Sequence, residues 1–260
     1  MSTDAAPALT ASGVTVRFGG LTALDAINVE VAPGTTVGLV GPNGAGKTTL
    51  FNVMSGLLRP NEGAVHLAGR DVTQLSPTAR ARRGLARTYQ RSELFTELTV
   101  RENLVLAYRA RRRTHHLTLD LLGLGRRRDA QEDETVDGLL ESLRLSEVAG
   151  RPADGLPLGT GRLVEVGRAL AAEPDVVLLD EPSAGLDEHE TDLLADVLRR
   201  TRVGSSVAFL LVEHDVDLVL GLSDQVYVLD FGRCIAAGPP ESIRSDPAVR
   251  AAYLGTEVET

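Results

Sequence analysis

A glycine-rich segment near the N-terminus has the residue types and spacing of a phosphate-binding loop. Residues Gly41–Thr48 read GPNGAGKT and fit the pattern G-x-x-x-x-G-K-[ST], between a predicted strand and a predicted helix. Glycines let backbone N–H groups surround phosphate oxygens, and the helix N-terminus adds partial positive charge. In such loops the lysine, here Lys47, reaches the β- and γ-phosphates, and the hydroxyl after it, here Thr48, ligates Mg²⁺.

Lysine usage across the sequence supports a special role for Lys47. The chain has 27 lysine and arginine residues, and Lys47 is the only lysine among them. A bias toward arginine codons, with one lysine left by chance, would also give this count. A compact ammonium on a thin stem, however, fits where a planar guanidinium does not. The position of Lys47 in the glycine-rich loop favours the second interpretation.

Two carboxylates follow an apolar run later in the chain. Val176–Leu179 has the character of a buried strand, and Asp180 and Glu181 come directly after it. In open α/β sheets, ligands bind at the carboxyl ends of the strands. We expect Asp180 to hold Mg²⁺ through water and Glu181 to polarise an attacking water as a general base. An acidic cap at a strand end is the structural alternative.

Hydrophobic periodicity predicts the elements that must position these residues. Strands are predicted at Val14–Arg17, Asn28–Val31, Val37–Val40, Gly63–Leu67, Gly84–Tyr89, Asp175–Leu179, Ser206–Val212, Gln225–Leu229 and Arg233–Ala236. Helices are predicted at Lys47–Leu57, Pro77–Arg83, Thr99–Arg113, Glu132–Leu143, Arg162–Ala172, Glu188–Arg202, Glu241–Arg244 and Ala248–Leu254. Alternation of buried strands with helices indicates a parallel sheet covered by helices, with antiparallel N-terminal strands and a helical stretch added to it.

The composition is that of a globular protein and excludes several other classes. The 260 residues are 43% hydrophobic and 24% charged, which excludes disorder over the whole chain. The apolar runs are strand-sized, far below the ~20 residues that a membrane-spanning helix needs. A net charge of −9 argues against nucleic acid as a partner, although the stretch from Arg80 to Arg128 is basic. The single cysteine, Cys234, excludes an intramolecular disulfide.

Together, these motifs resemble the nucleotide-binding subunit of an ATP-binding cassette (ABC) transporter. The resemblance implies that Phe18 stacks on adenine, Gln90 senses Mg²⁺ and water, Asp187 belongs to a loop that crosses a dimer interface, and His214 contacts the γ-phosphate. The implied catalytic residues are Glu181 and His214, and the implied Mg²⁺ residues are Thr48, Gln90 and Asp180. The implied ATP-binding residues are Phe18, Gly41, Pro42, Asn43, Gly44, Ala45, Gly46, Lys47, Thr48 and Thr49.

One family element departs from its usual form. The signature Leu-Ser-Gly-Gly-Gln corresponds here to residues 156–160, which read LPLGT, so that Pro157 stands at the serine position and Thr160 at the glutamine position. The resemblance implies that this motif, with Leu158 and Gly159, acts on ATP held by a partner subunit. The serine hydroxyl contact is lost, while Gly159 and the following helix N-terminus still offer backbone N–H groups.

The resemblance also implies the architecture. It implies a P-loop NTPase fold of the α/β class, with a RecA-like parallel sheet core, an N-terminal antiparallel β subdomain and an inserted helical subdomain. We expect one domain over residues 1–260, with a disordered tail at 1–10, the β subdomain and phosphate loop at 11–90, helices at 91–158, the rest of the core at 159–231, and a C-terminal hairpin and helices at 232–260.

The resemblance further indicates a branch of the family and a set of partners. Residues 86–90 and 94–104, Val212–Asp215 and Ala251–Gly255 look like the branched-chain amino acid importers. This implies a peripheral subunit on the cytoplasmic face of the membrane, with a second ABC subunit (identical or not), multi-spanning permeases and, indirectly, an extracytoplasmic solute-binding protein. A soluble, non-transport ABC ATPase such as a cofactor-assembly factor is the alternative. A small-molecule kinase shares the loop but lacks the Gln90, Asp187 and His214 series.

Overall fold

A computed structural model describes residues 6–88, 94–112, 130–202 and 205–254 of the chain. The strands are β1 (Leu9–Phe18), β2 (Leu21–Val31), β3 (Thr36–Val40), β4 (Glu62–Leu67), β5 (Arg70–Asp71), β6 (Leu85–Arg87), β7 (Val176–Asp180), β8 (Ala208–Val212), β9 (Gln225–Asp230) and β10 (Arg233–Gly238). The helices are α1 (Lys47–Ser55), α2 (Pro77–Ala81), α3 (Val100–Arg112), α4 (Ala130–Ser142), α5 (Leu158–Ala171), α6 (Glu188–Arg202), α7 (Val216–Leu222), α8 (Pro240–Ser245) and α9 (Pro247–Leu254).

The chain divides into two compact units. The first contains Met1–Arg87, Asp175–Glu181 and Gly204–Thr260, and the second contains Thr88–Pro174 and Pro182–Val203. In the part of the chain that the structure describes, the first unit holds every strand named above, and the second is helical. The expected combination of a sheet core with an inserted helical part is therefore present.

A mostly parallel sheet forms the core of the first unit. Among the described residues its strand order is β10-β9-β3-β8-β7-β6, with β10 antiparallel to β9 and the other pairs parallel. The strands β3, β7 and β8 are buried along their whole length, which explains their continuous apolar sequences, because a parallel sheet is covered on both faces. These three strands carry the predicted chemistry at their carboxyl ends.

An antiparallel sheet with the order β2-β1-β4-β5 forms the second layer of strands in this unit, counted within the described residues. The strand β1 begins at Leu9, which is fully buried, and the Ala8 N–H donates to the Val31 carbonyl at 2.8 Å. The expected disordered tail at residues 1–10 is therefore wrong for its last residues, because burial of Leu9 and sheet pairing fix them.

The helical unit extends past residue 158, the boundary that the sequence suggested. Helix α5 packs closely on its neighbours, since a Cβ added to Gly167 would lie 2.7 Å from the Leu143 side chain and 3.4 Å from that of Leu104. Ion pairs join α3 to α4, with Arg109 against Glu132 at 2.5 Å and Arg101 against Asp133 and Asp137.

No helix in the described ranges combines the length and apolar character needed to cross a bilayer.

Several helix ends differ from the predicted ones, and two of them have clear local causes. Helix α1 stops at Ser55 instead of Leu57, because Gly56 adopts a left-handed conformation with φ 85° and caps the helix. Helix α5 begins at Leu158 instead of Arg162, since Pro157 is its N-cap and the Gly161 N–H donates to the Pro157 carbonyl at 2.9 Å. The glycines after Pro157 therefore lie in the first turn of the helix.

Candidate functional site

The carboxyl ends of three neighbouring strands bring the predicted residues of the first unit together. Strand β8 lies between β3 and β7, and all three run parallel. The glycine-rich loop follows β3, Glu181 follows β7, and His214 comes two residues after β8. A parallel sheet places these loops along one edge, so residues about 170 positions apart in sequence can share a site.

The glycine-rich loop has the backbone geometry of an anion-binding turn. Gly41, Gly44 and Gly46 have φ values of 151°, 79° and 103°, which side chains disfavour. A Cβ on Gly46 would lie 2.7 Å from the Leu24 side chain and 2.9 Å from the Ala23 carbonyl, so this glycine is also required sterically. The first turn of α1 contains no acidic residue, and its N-cap is Gly46, so the turn supplies no anion of its own. These features fit a phosphate ligand.

Lys47 lies folded over the loop that precedes it. Its Nζ donates to the Gly41 carbonyl at 2.5 Å and to the Pro42 carbonyl at 3.0 Å, and the residue is only 6% exposed. Burial lowers the pKa of Lys47, and the negative charge of Glu181 acts in the opposite direction. A buried cation held by two neutral carbonyls gains by meeting an anion, which is the role predicted from the sequence.

A buried ion pair holds Asp180 at the end of β7. The Arg87 Nη2 lies 3.0 Å from Asp180 Oδ2, with side chains 12% and 4% exposed respectively. Arg87 Nη1 donates to Asn52 Oδ1 at 2.9 Å and to Ser55 Oγ at 2.8 Å, and its guanidinium stacks over the Phe51 ring at 4.6 Å. Burial raises the pKa of Asp180, while the charge of Arg87 opposes the shift. Arg87 therefore links helix α1 to this carboxylate.

Glu181 and His214 contact each other directly. Glu181 Oε1 lies 2.7 Å from His214 Nε2, and the Glu181 N–H donates to the Val212 carbonyl at 2.9 Å. Glu181 has a φ of 48°, a conformation that costs a non-glycine residue ~1–2 kcal/mol. His214 stands just before Asp215, which caps α7 by accepting from the Leu218 N–H at 3.0 Å. The strained backbone and the histidine together orient one carboxylate.

The donor set at this edge suits Mg²⁺ bound together with a nucleotide. Thr48 is exposed in the first turn of α1, and Asp180 offers carboxylate oxygens at the end of β7. Within the described residues, no group of three or more His, Cys, Asp or Glu side chains could hold a metal. Mg²⁺ commonly takes one or two carboxylates with substrate phosphates and water, which fits this sparse set. Gln90, the third predicted metal residue, lies outside the described residues.

Phe18 is available for stacking. It ends β1 next to the turn toward Leu21, and it is 52% exposed, unlike the buried apolar residues of the same strand. Phe95 and Phe231 are exposed as well, so exposure makes Phe18 accessible to a base without distinguishing it from these two rings.

The signature segment and the loop before α6 contact each other in the second unit. The Leu158 side chain lies against Gly185, where an added Cβ would come within 2.9 Å. The Gly159 N–H donates to Glu190 Oε1 at 3.2 Å. Asp187 and Glu190 cap α6 reciprocally, through Glu190 N–H to Asp187 Oδ1 at 2.8 Å and Asp187 N–H to Glu190 Oε2 at 3.2 Å. Thr160 follows in the first turn of α5.

Sequence reasoning missed the roles of Arg87 and Glu190. Arg87 belongs to the segment that resembles the family around Gln90, but nothing in the sequence pairs it with Asp180. The spacing of Asp187 and Glu190 is that of a reciprocal helix cap, which signals the local bonds of Glu190. The contact of Glu190 with Gly159 joins two different helices, and no local pattern indicates it.

Comparison with known proteins gives a consistent result. The family model described as "ABC transporter" matches residues 24–184, and one described as "Branched-chain amino acid ATP-binding cassette transporter" matches residues 233–259. The high-affinity branched-chain amino acid transport ATP-binding proteins BraF of Pseudomonas aeruginosa and LivG of Escherichia coli are each 40% identical, over 96% of this chain and 98% of theirs. A solved ATP-binding cassette of an ABC transporter in its ADP conformation is 32% identical with a TM-score of 0.80, over 96% of this chain and 99% of that one.

Proposed function

The chain belongs to the ABC transporter family as an ATP-binding subunit, and from this premise we propose that it energises the import of branched-chain amino acids or related small solutes. ABC ATP-binding subunits are ATPases coupled to transport, so the chain is an ATPase. The observation that carries the proposal is the convergence of the glycine-rich loop, the carboxylates after β7 and His214 at one sheet edge. The identity to BraF and LivG over nearly the whole length supports the solute class.

ATP binding is assigned to the loop and the start of α1. Backbone N–H groups of the loop and the ammonium of Lys47 surround the phosphates, while Phe18 takes the adenine. On binding, Lys47 exchanges the Gly41 and Pro42 carbonyls for phosphate oxygens, which are negatively charged and therefore better partners. Bound Mg²⁺, held through Thr48 and Asp180, would neutralise developing charge on the phosphates.

Hydrolysis is assigned to Glu181. Its carboxylate accepts the proton of the attacking water, and the short contact with His214 Nε2 fixes the direction in which the carboxylate points. His214 stands beside the position of the reacting phosphate in this assignment. Asp180 keeps a different role from its neighbour because Arg87 pairs with it at 3.0 Å, whereas Glu181 has a histidine partner.

The partners follow from the second unit. The signature segment, Pro157–Gly161, and Asp187 would act on ATP held by a second cassette, giving a head-to-tail dimer that closes on ATP and opens after hydrolysis. Loss of the signature serine favours pairing with a non-identical cassette. The helical unit would transmit the movement of dimer closure to a multi-spanning permease at the cytoplasmic face of the membrane. An extracytoplasmic solute-binding protein would deliver the solute to that permease.

Titration of the purified chain with Mg·ATP tests the site. Lys47→Ala should reduce the affinity at least tenfold, because it removes the one buried cation that meets the phosphates. Arg59→Ala is the matched control, since it deletes the same charge from an exposed position beyond α1 and should leave the affinity unchanged. Equal affinity of the Lys47→Ala protein and its parent would remove the loop from its assigned role.

The transport proposal needs a second experiment. The chain is purified with candidate permease subunits, and ATP turnover in proteoliposomes is measured with a panel of solutes and their binding protein. Stimulation by leucine, isoleucine or valine supports the importer. Turnover that no permease or solute affects favours the non-transport ATPase instead.

A further inference from the structure

Glu190 joins two helix N-termini within the second unit. Its Oε1 accepts from the Gly159 N–H in the first turn of α5, and its Oε2 accepts from the Asp187 N–H at the start of α6, both at 3.2 Å. The N-cap of α5 is Pro157, and the first turn of that helix contains no acidic residue. Glu190 therefore supplies from another helix the negative charge that the α5 N-terminus favours.

The two segments are fitted to this contact. A Cβ on Gly159 would lie 2.5 Å from Glu190 Oε1, so a side chain at this position would displace the carboxylate from the Gly159 amide. A second contact lies beside it, where the Leu158 side chain meets Gly185 in the loop before α6.

We propose that Glu190 is a positioning residue that ties the signature segment to the Asp187 loop and holds the Gly159 amide until a partner's nucleotide takes it. This rests on the head-to-tail dimer proposed above. Because Pro157 replaces the signature serine, the donors left for a γ-phosphate are backbone amides of the helix N-terminus, and Glu190 already bonds to that of Gly159. The carboxylate and the phosphate carry the same sign of charge, so closure requires Glu190 to release Gly159.

The substitution Glu190→Gln should change ATP-driven association in opposite directions for the two possible roles of Glu190. Glu190→Gln keeps the size of the side chain and one accepting oxygen, and it removes the charge that opposes the phosphate. A purely structural bridge would be weakened by this change, and ATP-driven association would become harder. In the proposed role, the substitution removes an anion that competes with the phosphate, so association becomes easier. If a charge at a helix end is worth ~1 kcal/mol, the ATP concentration for half-maximal association falls about fivefold.

Hydrogen exchange in the nucleotide-free chain tests the bridge itself. Glu190→Ala should speed amide exchange in the peptide that contains Gly159, and Glu188→Gln should not. Glu188 is the matched control because it is an exposed acid in the same turn of α6. Unchanged exchange in the Glu190→Ala protein overturns the bridge.

Sedimentation velocity with Mg·ATP tests the release step. All proteins carry Glu181→Gln to stop hydrolysis, and the ATP concentration for half-maximal association is compared. Glu190→Gln should need about fivefold less ATP than the parent, while Glu188→Gln should match it. An equal or higher requirement in Glu190→Gln overturns the release step. A parent that does not associate with ATP, either alone or mixed with a second cassette of the same transporter, overturns the head-to-tail proposal and with it the release step, and the exchange experiment still decides the bridge.

Discussion

Removing the guanidinium of Arg87 should destabilise the first unit chiefly by leaving Asp180 charged and buried. The two side chains are 12% and 4% exposed and 3.0 Å apart. At that distance the Coulomb attraction is about 5 kcal/mol at an effective dielectric constant of 20. Loss of one partner from a buried pair costs about 3–5 kcal/mol, so we expect Arg87→Met to lower the free energy of unfolding by about 3 kcal/mol.

A double-mutant cycle separates the ion pair from the other contacts of Arg87. Its bonds to Asn52 and Ser55 and its stacking on Phe51 are lost in Arg87→Met whether or not Asp180 is charged. In an Asp180→Asn background, Arg87→Met should therefore cost about 2 kcal/mol less than in the parent. Urea unfolding of the four proteins, followed by far-UV circular dichroism, measures this coupling.

The cost of Arg87→Met should also depend on pH. Burial already raises the pKa of Asp180 above its unfolded value, and loss of the opposing arginine charge raises it further. A carboxyl group whose folded pKa is raised destabilises the protein above that pKa, and this cost disappears below the unfolded pKa. The penalty should thus be larger at pH 7 than at pH 4. A cycle that is additive at pH 7, with a coupling below about 0.5 kcal/mol, would refute the pairing.

Three further outcomes are expected. Glu181→Gln should retain Mg·ATP binding while single-turnover hydrolysis falls at least ~10²-fold, because the proposed general base is lost. His214→Ala should also lower turnover with little change in ATP affinity, since it removes the partner 2.7 Å from Glu181, and the same two assays measure it. Arg80→Met should lower the free energy of unfolding by about 3 kcal/mol, which a lower urea midpoint measures. Arg80 is fully buried and donates to the Val53, Met54 and Thr73 carbonyls.

The strands that bear the site could be predicted because burial leaves a continuous record in the sequence. The strands β3 and β7 need apolar residues on both faces, and their predicted bounds differ from the observed ones by a single residue. The polar residues that follow such strands are then the natural candidates for chemistry. The spacing of the glycines also predicted the loop after β3, since the conformations of Gly41 and Gly46 restrict the residue types allowed there.

The pairings between distant side chains could not be predicted in the same way. Arg87 and Asp180 are 93 positions apart, and Gly159 and Glu190 are 31 apart. Such contacts depend on how strands and helices are arranged in space, whereas periodicity describes each element separately. The early start of α5 has a local cause in Pro157, but the pattern of apolar residues alone placed it later.

The geometry around Lys47 favours lysine over arginine at this position. The two carbonyls that accept from Nζ belong to consecutive residues, Gly41 and Pro42, so both are reached from one point. An ammonium can direct its three donors from a single nitrogen, whereas a guanidinium spreads its donors over a planar fork. Because the residue is also buried, the larger group would have to displace the loop whose amides are proposed to bind the phosphates. Both the composition of the chain and the geometry of the loop therefore favour a lysine at position 47.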